Sequence, residues 1–327
     1  MQDSITIGSI SAKPGEKKSG FIEFWDNSLI ASKFPVVVIN GSENGPKIAV
    51  NAGLHPFEYA GMEAAIRLSK TIDPKDVKGA IIIIPIANVA GFLKTIETVH
   101  PVDNINLNRV FPGIPTGSMS QILAYTLFNE VVLKVNYLLD LHGGELETCH
   151  PYMLVPHKNQ ETFEAGKRMA NVYGPDYLWE LPDSLPEVGW SSSGLLITQA
   201  SLRGIPAIVI EAGQNARIEE SHAQFHLNGI SNVLKQLQII KGEPTRHGNP
   251  KIFKKMVFVT STASGMFYPV AKEGMEVARD EPLAEVRDFF GNPLTTIRAN
   301  AGGILLHVSH SPPIRNGGVI AMIGELP

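Results

Sequence analysis

The sequence predicts an α/β protein, built on a mixed, largely parallel sheet flanked by helices, with a small C-terminal all-β domain of barrel-sandwich type. Three observations carry this prediction. Short apolar runs rich in β-branched residues recur at 36–39, 48–50, 81–84, 137–141 and 207–210. Uninterrupted runs of that length suit strands covered on both faces. Helical periods alternate with them: Leu123, Leu127 and Val131 repeat every four residues, and Ile230, Val233, Leu234 and Leu237 follow the spacing of one buried helix face. The texture then changes at 242–250, where GEPTRHGNP is polar and rich in Gly and Pro. Beyond it stand short strand-like pieces at 256–260, 265–270, 282–286, 295–298, 303–308 and 318–323, separated by Gly, Pro, Asn and Asp. The expected division is an α/β domain over 1–245 and a small β domain over 246–327, serving as a lid or an oligomer contact.

Composition narrows the function classes. A chain of 327 residues is long enough for one large core and a smaller one. With 43% hydrophobic and 18% charged residues it reads as an ordinary globule. A net charge of -4 leaves no electrostatic footprint for nucleic acid or an anionic membrane. Cys149 is the only cysteine, so no intrachain disulfide can form, which fits a reducing compartment. A lone cysteine is more often a small buried residue than a nucleophile. The first residues, MQDSITIGSIS, lack the basic and apolar regions of a signal peptide. The most apolar run, AIIIIPIANVAGF from Ala80, is too short to span a membrane and is broken by Pro85 and Asn88. The expectation is a cytoplasmic protein whose partner is a small molecule.

Four segments carry chemistry. In NAGLHPFEYAG, His55 and Glu58 stand three apart where a strand passes into a helix, and at that spacing one nitrogen and one carboxylate can reach a single metal. In YLLDLHGGE, His142 follows a strand that should be buried, with Asp140 two residues earlier on the same sheet face. Three protein ligands would leave zinc an open fourth position. In AIVIEAG, Glu211 closes another buried strand, where a carboxylate needs a partner or a task such as general-base catalysis. In NINLNRVFPG, Asn108 and Arg109 lie on a loop, suited to binding a substrate carboxylate. Each segment has a bland alternative: a capping Glu, a hydrogen-bonded His or a solvated loop.

Taken together and in this order, GLHPFE, NLNRVFPG, DLH and EAG resemble the motifs of the succinylglutamate desuccinylase/aspartoacylase family, relatives of the zinc carboxypeptidases. PIANVAGF over 85–92 matches a further family segment. The resemblance covers roughly the first 245 residues. It implies a zinc-carboxypeptidase-like fold and one Zn2+ per chain on His55, Glu58 and His142. It also implies Glu211 as general base, Asn108 and Arg109 as substrate contacts, and hydrolysis of a small N-acyl amino acid or related amide. A metallocarboxypeptidase acting on short peptides and a non-catalytic zinc- or ligand-binding relative are the alternatives, and a homo-oligomer is compatible with the chain.

Two departures bear on specificity. Pro56 and Phe57 stand where family members often carry Gly-Asp, which makes the local wall apolar. No Arg or Lys occurs between Lys94 and Arg109, where many members have an arginine that steadies the oxyanion. His100, Arg203 and Arg217 are the candidates to replace it, and the acyl group is left open. The C-terminal part is also similar to biotinyl- and lipoyl-type half-barrels, but Lys272, the only Lys after Lys255, does not stand in the motif a carrier needs.

Overall fold

Nine strands form one sheet, whose central strands are buried on both faces. The computed structural model describes residues 3–25, 31–185, 190–253 and 255–326. Across the sheet the order is Lys251–Phe253, Tyr177–Leu181, Tyr152–Pro156, Ala207–Glu211, Tyr137–His142, Glu43–Ala52, Lys78–Ile84, Ala31–Asn40 and Glu16–Trp25. The central four, from Ala207–Glu211 to Lys78–Ile84, run parallel, while the flanking pairs at Tyr152–Pro156 and Ala31–Asn40 are antiparallel. The sheet is therefore mixed, with the expected parallel centre. All five apolar runs fall within strands.

Pleating explains how one run feeds two cores. Ile82 and Ile84 join Ile122, Leu123 and Leu127 from helix Met119–Glu130. Ile81 and Ile83 face the other way, into a core with Met62 and Leu68 of helix Tyr59–Thr71, Phe163 of helix Gln160–Tyr173 and Ile230, Val233 and Leu234 of helix Glu220–Gln236. Side chains alternate across a strand, so an unbroken apolar run serves both layers. Both helices expected from periodicity form, with Val131 and Leu237 at their C-caps.

Strands Glu16–Trp25, Tyr152–Pro156 and Tyr177–Leu181 escaped the sequence patterns. The first is the sheet's edge and alternates buried with exposed residues at one end only. The other two are five residues long, and one ends on Pro156.

The C-terminal region is antiparallel β structure, with one layer built on Lys255–Thr260, Val319–Glu325, Gly303–Ser309 and Glu276–Val277 and another on Pro293–Arg298, Pro282–Arg287, Gly265–Pro269 and Pro313–Ile314. Phe267, Leu283, Val286, Ile297, Leu305 and Ile323 fill the space between them. Two connections tie this region to the α/β part. Strand Lys251–Phe253 closes the large sheet beside Tyr177–Leu181, and Glu147–Cys149 pairs with Gly303–Ser309.

Candidate metal centre and active site

Strand register brings the motif residues together at the C-terminal ends of the central parallel strands. His142 and Glu211 are Cα partners on adjacent parallel strands, and Asn51 is the partner of Asp140. Gly53 and Leu54 then lead from the Asn51 strand to His55, Gly53 with a φ of +67° that glycine adopts without strain. Glu58 sits at the N-cap of helix Tyr59–Thr71, yet its side chain makes no capping hydrogen bond. Its carboxylate turns to the histidines instead.

The geometry is tight. Glu58 Oε1 lies 2.7 Å from His55 Nδ1 and 3.2 Å from His142 Nδ1, and the two Nδ1 atoms are 3.3 Å apart. His55, Glu58 and His142 each offer a ligand atom within 4.8 Å of the others, so they could hold a metal ion. The outward nitrogens are engaged: His142 Nε2 is 3.0 Å from Asp140 Oδ2, and His55 Nε2 is 3.2 Å from Asn106 Oδ1. Outer acceptors of this kind fix the tautomer that leaves Nδ1 as the ligand atom. Asn51 Nδ2 donates to Asp140 Oδ1 at 2.7 Å and holds that carboxylate in turn. Glu58 Oε2 is buried and accepts no hydrogen bond, although His142 Nδ1 is 3.0 Å away, so its geometry suits a cation better than an N–H. Two imidazoles and one carboxylate with an open side are a zinc donor set.

Charge follows from burial and pairing. Burial would push the Glu58 carboxyl up, but the two imidazoles hold it down at about 2. Burial opposes charge on both imidazoles too, and Glu58 outweighs it, raising the pKa of His55 and that of His142 further. Glu211 has no such close partner, and burial pushes its carboxyl up to about 7. A carboxyl poised there suits proton transfer near neutrality.

Glu145, the last residue of the YLLDLHGGE segment and readable there either as a substrate or supporting group or as a solvated loop residue, also reaches the cluster. Its Oε1 lies 3.8 Å from His55 Nδ1, Thr98 Oγ1 donates to its Oε2 at 2.7 Å, and burial pushes its carboxyl up to about 7. The signal available was only a Glu three residues after a strand-end His. A Cβ on Gly143, two residues before Glu145, would meet Ala212 O at 2.7 Å, so the missing side chain lets the turn pack on the loop after Glu211.

The remaining candidates divide. Asn108 is buried, its Oδ1 accepting from Leu196 N at 2.9 Å and its Nδ2 3.4 Å from His142 Nε2. Arg109 is solvent-accessible, but protein crowds its guanidinium; desolvation lowers its pKa while Glu145 and Glu211 oppose that effect. Its Nη1 donates to Asn108 O at 2.7 Å. Three further residues are the suggested oxyanion groups. His100 is buried, with Nδ1 3.3 Å from Val102 N and Nε2 unpartnered. Arg203 bonds Gln199 and lies 4.7 Å over the Phe128 ring. Arg217 is exposed on the loop after Glu211.

Comparison with known proteins gives concordant matches in sequence and fold. The model of the succinylglutamate desuccinylase/aspartoacylase catalytic domain matches residues 44–237, more than half of the chain. The chain is 25% identical over 302 residues to the N-alpha-acetyl-L-2,4-diaminobutyric acid deacetylase of Halomonas elongata, covering 90% of this chain and 86% of that one. Among solved structures, the product-bound ectoine utilization protein EutE (DoeB) from Ruegeria pomeroyi superposes with a TM-score of 0.86 at 24% identity over 99% of both chains. A succinylglutamate desuccinylase/aspartoacylase from Rhodobacter sphaeroides gives 0.81 at 22% identity, covering 95% of this chain and 96% of that one. Ligand-type residues at the ends of parallel strands, in an α/β fold shared with these structures and within the matched segment, identify the chain as a member of the succinylglutamate desuccinylase/aspartoacylase family.

Proposed function

We propose that the protein is a zinc-dependent deacylase that hydrolyses the amide bond of small N-acyl amino acids, with one Zn2+ on His55, Glu58 and His142 and with Glu211 as general base. The observation that carries this reading is the unsatisfied Glu58 Oε2 facing two inward Nδ1 atoms, with Glu211 on the adjacent strand end. The name of the Halomonas relative, a deacetylase of an N-acetylated amino acid, supports the reaction class.

When bound, zinc supplies Lewis acidity at the scissile carbonyl and brings the pKa of a water to about 7. The residues of the chain do the rest. Asp140 and Asn106 hold the two imidazoles with Nδ1 inward. Glu211 takes a proton from the attacking water and delivers it to the departing amine, which a carboxyl near pH 7 can do in both directions. Arg109 offers its guanidinium to the substrate carboxylate, and Asn108, tied through Oδ1 to Leu196 N, keeps Nδ2 available as a neutral donor.

The test is turnover of an N-acyl amino acid panel and a short-peptide panel by the zinc-loaded protein, with Glu211→Gln as control. Deacylation lost in the variant is the expected result. Peptide trimming alone would favour a carboxypeptidase, and bound zinc without turnover a binding protein.

A further inference from the structure

The candidate site holds a carboxylate that the proposed mechanism leaves idle. Glu145 Oε1 is buried and accepts no hydrogen bond, although it lies 3.8 Å from His55 Nδ1. That nitrogen holds one proton or one metal. Glu58 Oε1, at 2.7 Å, already stands where the proton would go. The ligand atoms that lie within 4.8 Å of one another belong to His55, Glu58 and His142, and Glu145 is not among them. Neither a hydrogen bond from His55 nor a place among the metal's ligands accounts for Oε1. Among the described residues no lysine or arginine forms an ion pair with Glu145.

The side chain is nonetheless held in this position from two sides. Thr98 Oγ1 donates to Oε2 at 2.7 Å. The main chain is fastened to the loop after Glu211: Gly144 N donates to Gly213 O at 2.7 Å, Ala216 N to Glu145 O at 2.5 Å and Asn215 N to Glu147 O at 3.1 Å. Oε2 is satisfied and the backbone fixed, so Oε1 is the free acceptor. A buried carboxylate oxygen is costly until a donor reaches it. The protein brings none, so the donor comes with the ligand.

Charge decides which donor fits. Glu58, Glu145 and Glu211 bring three carboxylates to the site against the one guanidinium of Arg109, whose Nη1 is turned to Asn108 O. The segment between Lys94 and Arg109 adds no Arg or Lys, and contributes Thr98 to hold Glu145 instead. A second substrate carboxylate placed against Oε1 would meet like charge. An ammonium supplies three N–H donors and the opposite charge.

We propose that Glu145 is a specificity-determining residue that binds an ammonium group of the substrate, so that N-acyl amino acids with a short cationic side chain are preferred to those with a second carboxylate. Thr98 is the positioning residue that keeps Oε1 at the site. The inference rests on the deacylase reading, in which Arg109 takes the substrate's α-carboxylate.

The experiment uses three substrates that share the acyl group hydrolysed by the wild-type protein and differ at the end of the side chain. They are the N-acyl derivatives of 2,4-diaminobutyrate (an ammonium), norvaline (a methyl) and glutamate (a carboxylate). kcat and KM are measured for wild type, Glu145→Gln and Thr98→Val, with zinc content and melting temperature as controls. Losing one partner of a desolvated charge pair costs about 30-fold or more. Wild type should therefore prefer the diaminobutyrate derivative to the norvaline one by about that factor in kcat/KM, with the glutamate one slowest. Glu145→Gln should lose this preference, mainly in KM, as the diaminobutyrate derivative falls towards the norvaline one, and Thr98→Val should lose part of it. The free amino acids, titrated calorimetrically into zinc-loaded protein, should show the same order in Kd. Wild-type protein that hydrolyses the norvaline or glutamate derivative as well as the diaminobutyrate one overturns the proposal. So does a Glu145→Gln loss of equal size on all three, which assigns Oε1 to the amide N–H they share. If Glu145→Gln does not fold, the wild-type preference and its reduction in Thr98→Val decide. Wild-type protein that hydrolyses no N-acyl amino acid defeats the deacylase reading and this inference with it, whereas turnover without a charge preference defeats only the inference.

Discussion

His142 Nε2 and Asp140 Oδ2 are 3.0 Å apart on the same strand, and Asp140 is fully buried. The carboxylate has two neighbours that hold it, this imidazole and Asn51 Nδ2. Its role is to keep Nδ1 of His142 aimed inward. Replacing it with Asn keeps the volume and removes the charge. Asp140→Asn should weaken zinc binding about 10- to 100-fold, measured by competition with a chromogenic chelator. Unchanged affinity would mean that the strand alone fixes the ring.

Glu211→Gln should retain zinc and lose about 10²- to 10⁴-fold in kcat, the range for a general base. Steady-state kinetics on the metal-loaded variant reads this directly. A loss confined to KM would assign Glu211 to binding instead.

Arg109→Lys keeps the charge but removes the planar fork. KM for a substrate bearing a free carboxylate should rise about tenfold with kcat nearly unchanged, because the contact is made equally in ground and transition states. The ester of the same substrate should show no difference between the two proteins.

Metal-free stability should fall as pH rises. The Glu145 and Glu211 carboxyls are raised to about 7 in the folded chain, so their contribution is complete below the unfolded value near 4.5 and is lost as pH climbs through about 7. The raised pKa values of His55 and His142 act in the same direction, their contribution being lost above the ordinary value of 6.5. Glu58, held at about 2, acts oppositely, and its contribution is lost only in acid. Thermal melts of chelated protein should therefore show a lower melting temperature at pH 8 than at pH 5.5, and added zinc should reverse the order. A melting temperature that rises from pH 5.5 to 8 without metal would contradict this assignment of charge.

Much of this was legible in the sequence because buried parallel strands are written as unbroken apolar runs. Where such a run stops at a His or Glu, the polar residue lies at the C-terminal end of a buried strand, which located His142 and Glu211. The outer acceptors were less legible. Asp140 could be placed by strand alternation, but Asn51 and Asn106 look like ordinary strand and loop residues until register and loop closure bring them to Asp140 and His55. The engagement of Arg203 with Gln199 and Phe128 is likewise a product of the fold that the sequence does not display.

The central claim is that His55, Glu58 and His142 hold one catalytic zinc. Its most direct test is hydrolysis of an N-acyl amino acid by protein stripped with a chelator and titrated with zinc. Stripped protein should show no turnover and a linear recovery that breaks at one zinc per chain, with no recovery in Glu58→Gln at the same concentrations. Full turnover by the stripped protein, or recovery in Glu58→Gln equal to wild type, would contradict it.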